Sequence, residues 1–250
     1  RLIDPAWPKI VVMTDAQLHH AMGHDHNWGN VLFDMSLASR HGAREVMTNS
    51  AEAFLLRALS KYRAAISKES DLADAHNNLA NGLTDLARHE VPRAKDAMLR
   101  EAFTHYEAAL RSTEEPALVH NNYAKSLHDL ARVTGDLTLF RKSMKHFRHA
   151  GRISPNYYSV YLSWAHALGD MAGRTHSAKD YEGAFDKYRR AAEIEPLHTA
   201  AHHSWYYLLL EFANISKGKK RAALLDRAKL VSEEQERRQR QYLRRVDASS

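Results

Sequence analysis

Five acidic residues recur along this chain at intervals of 41 to 51 positions: Asp34, Asp85, Asp129, Asp170 and Glu211. Two carboxylates do general acid–base chemistry only when both reach one substrate. With each on its own helix, neighbours stand about 10 Å apart at helix-packing distances, too far for that pairing. The column reads either as a negative stripe facing a basic partner or as a structural bond to the adjacent unit, and the structural reading is the stronger. Histidine, at 17 residues, is the other abundant chemistry-bearing type. His19, His20, His24 and His26 cluster, and His20/His24 and His198/His202 have the i, i+4 spacing that can share a metal ion. Neither pair has an evident third ligand and there is no H-E-x-x-H, so no metal is expected. Cysteine is absent, which excludes disulfides, thiol catalysis and cysteine-ligated metals. No phosphate loop, nucleophile elbow or dinucleotide fingerprint is present, so neither an enzyme nor a cofactor is expected.

A second recurring column is polar and mostly uncharged. Asn27, Asn78, Asn122, Ser163 and Ser204 each precede a large residue, and one turn later come Asn30, Asn81, Lys125, His166 and Tyr207. Asparagine offers both donors and acceptors, so a row of them can pair with a polypeptide backbone, with neighbouring helices or with water.

The residues of both columns lie in one repeated phrase. Asn77 to Ala87 reads N-N-L-A-N-G-L-T-D-L-A, and Asn121 to Ala131 reads N-N-Y-A-K-S-L-H-D-L-A. Weaker copies span residues 26–36, 162–172 and 203–213. Within it Leu79, Leu83 and Leu86 fall on one helical stripe beside Ala80 and Ala87, and Tyr123/Leu127/Leu130, Trp164/Leu168/Met171, Trp205/Leu209/Phe212 and Trp28/Leu32/Met35 correspond. Between the copies lies a second helical pattern, small–large–small: Ala58/Tyr62/Ala65, Ala102/Tyr106/Ala109, Ser143/Phe147/Ala150 and Ala184/Tyr188/Ala191. The steps Tyr62 to Tyr106, Tyr106 to Phe147 and Phe147 to Tyr188 are 44, 41 and 41 residues. A fixed period over this length marks a solenoid, in which each unit buries its apolar face by stacking on the next.

The chain resembles the tetratricopeptide repeat family. Ala184-x3-Tyr188-x2-Ala191-x4-Pro196 is similar to that family's second helix and closing proline, and Trp164, Ala165 and Leu168 to its first. Two departures stand out. The repeats exceed the family's usual length by 7 to 10 residues, all between the first (A) and second (B) helix, so either the helices are longer or the turn is extended. Ser70 and Glu114 replace the closing proline of the earlier units. The resemblance implies an all-α, right-handed superhelical solenoid of about five antiparallel helix pairs with a long C-terminal helix. It also implies a concave groove lined by the A helices, in which a ligand segment would meet Asn27, Asn30, Asn77, Asn78, Asn81, Asn121, Asn122, Lys125, Ser163, His166, Ser204 and Tyr207. The family's clamp for a C-terminal carboxylate is not expected: Asn81 and Asn122 match its asparagines, but Asn77, Ser159 and Ser163 hold its basic positions.

The ends differ from the repeats. Pro5 and Pro8 point to an extended arm over residues 1–13, followed by the repeat domain over 14–216 and a basic C-terminal helix over 217–250. Residues 1–216 hold 25 basic and 25 acidic side chains, whereas 217–250 hold 11 against 5. The basic groups are carried by Lys219, Lys220, Arg221, Arg237, Arg238, Arg240, Arg244 and Arg245 among others. Leu224, Leu225, Ala228 and Val231 are expected to cover the last repeat. No run nears the roughly 18 apolar residues of a membrane span. The sequence begins at Arg1, so an upstream targeting peptide would decide between a cytoplasmic and an organellar (mitochondrial or plastid) setting.

The expected function is a non-enzymatic scaffold or adaptor in a larger assembly, holding one or more proteins in its groove and through its ends. The alternatives are a presequence receptor of organellar import and an RNA-binding repeat protein. The recurring charge is acidic rather than basic, which argues against nucleic acid.

Overall fold

The computed structural model describes residues 30, 32–33, 49–88 and 92–247. The expected arm over residues 1–13 lies outside them, as do the histidine cluster at 19–26, Asn27 and Asp34. The described residues form nine helices and no strand: α1 (Asn49–Lys68), α2 (Ala73–Ala87), α3 (Pro92–Ser112), α4 (Pro116–Thr134), α5 (Leu137–Ile153), α6 (Tyr158–Thr175), α7 (Ala178–Ile194), α8 (Thr199–Ile215) and α9 (Gly218–Asp247). The even-numbered helices carry the repeated phrase and the odd-numbered ones through α7 carry the small–large–small pattern.

Local chemistry sets the helix boundaries. α3 and α4 begin at Pro92 and Pro116, where a missing backbone N–H costs no helical bond. The turns from α4 to α5 and from α6 to α7 are two residues each, Gly135-Asp136 and His176-Ser177. Gly135 and His176 adopt left-handed backbone (φ 73° and 53°) and stop the incoming helix. Asp136 then accepts from the Thr138 amide at 2.7 Å and Ser177 from the Asp180 amide at 3.3 Å, capping the outgoing helix. In these two repeats the extra residues therefore lengthen the helices and not the turn. The return turns Ser154–Tyr157 and Glu195–His198 both close with an i→i+3 bond of 3.1 Å around a proline, Pro155 and Pro196.

The chain divides into two compact units, residues 1–122 and 123–250, with the division inside α4. In the first, α2 packs against α1 and α3. Ser112 Oγ donates to the Asp71 carbonyl at 2.8 Å, which brings the end of α3 back to the start of α2. Leu55, Leu59, Tyr62, Leu79, Leu83, Leu99 and Tyr106 fill the core. α1 and α2 approach closely at Gly82, where a Cβ would stand 2.6 Å from Leu59 Cδ2.

In the second unit, α5 through α9 pack consecutively. Phe147, Tyr181, Phe185, Leu209 and Phe212 are buried, and the rings of Tyr181 and Phe212 stack at 4.2 Å. Leu224, Ala228 and Val231 of α9 close this core as expected. Leu225 instead is 41% exposed, because one residue further turns it about 100° away from the seam. Every described member of the small–large–small triples is buried, which places that pattern at the centre of the helix packing. Among the described residues no helix is long and apolar enough to cross a membrane.

Candidate functional site

In the first unit the asparagines of the A helices bond to one another. Asn78 Nδ2 donates to Asn30 Oδ1 at 2.8 Å, and Asn77 Nδ2 donates to Asn78 Oδ1 at 3.1 Å. Asn122 Nδ2 donates to Asn77 Oδ1 at 3.2 Å. The row is anchored in the core, because the buried Tyr62 hydroxyl also donates to Asn30 Oδ1 at 2.9 Å. Tyr106, the equivalent residue one repeat later, donates to Asn81 Oδ1 at 2.8 Å. Periodicity identified these tyrosines as packing residues and missed their hydroxyls. The signal was available: in both pairs the A-helix asparagine is followed by a tyrosine in the next B helix, whereas Lys125 is followed by Phe147, which has no hydroxyl.

Burial then separates the row. Asn77 and Asn121 are buried, and Asn121 Oδ1 has no hydrogen-bond partner among the described residues. Asn30, Asn78, Asn81 and Asn122 are half-buried, with part of each side chain open to solvent.

In the second unit the corresponding positions hold different chemistry. Lys125 is exposed and Ser163 half-buried. His166 Nε2 lies 3.2 Å from Ser204 Oγ, and its ring packs edge-on against Tyr188 at 5.6 Å. Burial, then the charge of His128, holds His166 below the ordinary histidine range. Tyr207 is 56% exposed, with its ring against His203 and Tyr206.

Three members of the acidic column, Asp85, Asp170 and Glu211, make bonds within the protein. Asp85 is buried and takes Arg88 at 3.3 Å. Asp170 meets His128 Nε2 at 2.8 Å and Arg132 Nε at 3.1 Å, both from α4. Burial would raise the Asp170 carboxyl, but the His128 bond and the charges of His128, Arg132 and His166 outweigh it and hold it low. Glu211 accepts from the Tyr181 hydroxyl at 2.8 Å. Burial, then that bond, pushes the Tyr181 phenol above its usual range. Asp129 is half-buried. His128 and Arg132 were missed in sequence, although they flank Asp129 and face Asp170 one repeat on.

The basic tail is partly committed. Lys220 lies over the Phe212 ring at 4.2 Å, and Lys219 and Arg221 are exposed. Arg237 and Arg238 both bond Glu234, and Arg240 bonds Glu236 at 3.3 Å. Arg244 is exposed; Arg245 belongs to α9, with its side chain outside the described residues. Arg227 grips both oxygens of Glu182 at 2.8 and 3.1 Å, tying α9 to α7. Of the histidine pairs, only His198/His202 is described, and His198 Nδ1 is bonded to the Tyr158 hydroxyl at 2.9 Å. No three His, Asp or Glu side chains converge as a metal site among the described residues.

No family model matches the chain, and no curated protein matches it in sequence. Among solved structures it is similar to two crystal structures of MamA. One is 10% identical over 77% of this chain and 93% of its own, with a TM-score of 0.56. The other is 10% identical over 86% and 94%, also at 0.56. YrrB, described as a TPR protein with an unusual peptide-binding site, is 17% identical over 80% and 84%, with a TM-score of 0.48. The repeated phrase, the helix pairing and the likeness to MamA together show an all-α helical-repeat fold.

Proposed function

We propose that this chain is a non-enzymatic interaction scaffold or adaptor that holds an extended segment of a partner protein against its A helices, as a subunit of a larger assembly. The observation that carries this reading is the bonded asparagine row. A primary amide has two N–H donors and two acceptor lone pairs. Asn78 spends one donor on Asn30 and accepts once from Asn77. Asn122 spends one donor on Asn77, and Asn81 accepts once from Tyr106. Their internal bonds fix the amide planes while leaving capacity at half-exposed edges. A polypeptide in extended conformation alternates donors and acceptors and suits such edges. Prior ordering of the amides also lowers the entropy lost on binding.

The test is affinity purification from the native source, comparing the wild-type chain with Asn78→Ala/Asn122→Ala and matching helicity by circular dichroism. The double variant should lose most of the partner captured by wild type. Equal capture by a variant of equal helicity would move the site off this row.

A further inference from the structure

Asp170 and Glu211 occupy one repeat position, 41 residues apart, yet their surroundings differ in charge. Asp170 is neutralised from the preceding A helix, with His128 Nε2 at 2.8 Å and Arg132 Nε at 3.1 Å. Moving those two residues forward by the same 41 positions gives Gly169 and Gly173 on α6. The geometry follows the register. A Cβ at Gly173 would stand 3.0 Å from Glu211 Oε1, so this glycine borders Glu211 where Arg132 borders Asp170. At Gly169 the space is taken by Leu208, 3.2 Å from where a Cβ would be.

Glu211 therefore keeps its charge. Its bond comes from the Tyr181 hydroxyl at 2.8 Å, which fixes Oε1 without cancelling the negative charge. An ionised carboxylate has about four acceptor positions, so most of them stay open. Lys220 is spent elsewhere: it lies over the Phe212 ring at 4.2 Å. Among the described residues no cation pairs with Glu211, although the side chain is exposed.

Tyr207 lies one turn earlier on α8, so the two side chains share a face, with Cβ atoms about 6 Å apart. More than half of Tyr207 is exposed, and contacts with His203 and Tyr206 hold its ring. The residue equivalent to Tyr207 on α6 is His166, which is half-buried and bonded to Ser204. Of these two helices only α8 presents an open ring beside an uncancelled charge. A tyrosine ring attracts a cation over its face. A guanidinium suits both groups, because its planar fork matches a carboxylate and its plane stacks on an aromatic ring; an ammonium matches neither as well.

We infer that Tyr207 and Glu211 form a subsite for an arginine side chain of the partner segment, with the guanidinium paired to Glu211 and stacked on Tyr207. The partner thus supplies the cation that His128 and Arg132 supply to Asp170. This rests on the reading that a partner segment lies against the A helices, since both residues belong to α8.

The experiment uses the full chain with ring-13C tyrosine, the Tyr207 and Tyr181 signals being assigned by their loss in Tyr207→Phe and Tyr181→Phe. The probe is acetyl-Ala-Ala-Arg-Ala-Ala-amide. The same peptide with citrulline or with lysine in place of arginine, and ethylguanidinium alone, are separate arms. The arginine peptide should shift both signals saturably, and the citrulline peptide, uncharged but of the same shape, should shift neither. Glu211→Gln keeps an acceptor for the Tyr181 hydroxyl and should raise the dissociation constant about tenfold. Tyr207→Ala, read at Tyr181, should raise it about threefold. Both positions are exposed, and melting curves establish that each variant is folded. The proposal is overturned if millimolar arginine peptide moves neither signal, if the citrulline peptide binds as tightly, or if either folded variant binds like wild type. Equal affinity for the lysine peptide would overturn the arginine assignment, and equal affinity for ethylguanidinium the assignment to a polypeptide. Failure of these arms while partner capture still depends on Asn78 and Asn122 strikes this subsite alone; the reverse pattern strikes the asparagine row alone.

Discussion

Phe147 and Trp164 show how much the environment of a large aromatic decides what it is worth. Phe147 is fully buried, held between Ala124, Ala150, Val160 and Ala167. Trp164 is half-buried, with Lys187 Nζ 4.6 Å above its ring. Phe147→Ala leaves a cavity that neighbouring helices cannot refill and should destabilise by about 3–5 kcal/mol. Trp164→Ala removes a ring already partly in water and should cost less, about 1–3 kcal/mol. Urea unfolding of the two variants side by side checks the order. An equal or larger loss at Trp164 would contradict the burial assigned to each ring. The asparagines make the same point with polar groups: a bond to a core tyrosine gives Asn30 and Asn81 an orientation that an exposed amide lacks.

At the scale of the element, the two-residue turns do most of the positioning. Each places a left-handed residue directly before a capping residue, so one helix stops and the next starts with almost no intervening chain. Gly135 suits its place, but His176 holds the same conformation with a side chain. A non-glycine residue there carries about 1–2 kcal/mol of strain. Glycine would relieve it while losing about 0.4–1 kcal/mol to the added freedom of the unfolded chain. His176→Gly should therefore stabilise by about 0.5–1 kcal/mol, read as a higher urea midpoint. A lower midpoint would mean that the exposed imidazole makes a contact of larger value.

For the whole molecule, the buried histidines set how stability responds to acid. His105, His166 and His202 are all held below the ordinary value of 6.5, each chiefly by burial. For His105 the next cause is His76, whose Nδ1 lies 2.8 Å from its own. Well above pH 6.5 these rings are neutral whether folded or unfolded and add no pH dependence. As pH falls through 6.5 the unfolded chain takes up protons that the folded chain refuses, so stability drops until the folded values are reached. The urea midpoint should be lower at pH 5.5 than at pH 7.5. The triple variant His105→Gln/His166→Gln/His202→Gln should show a smaller drop. An undiminished drop in that variant would assign the acid sensitivity to other groups.

The sequence by itself determined that the chain is a helical repeat, which residues face the core and roughly where helices start and stop. Those properties follow from spacing along one chain, because side chains three and four apart share a helical face. The triples around Tyr62, Tyr106, Phe147 and Tyr188 were legible for that reason, and so was the long last helix. Only the tertiary structure decided how the extra residues of the α4/α5 and α6/α7 repeats are used, since a longer helix and a longer turn have the same spacing. It also decided the fate of the polar columns. Asn77 and Asn78 are adjacent in sequence and chemically identical, yet one is buried and the other keeps an open edge. Asp170 is bonded by two residues about forty positions earlier. Spacing along one chain puts residues on a helical face, but which polar groups on that face meet a partner is settled only when the helices of successive repeats are packed together.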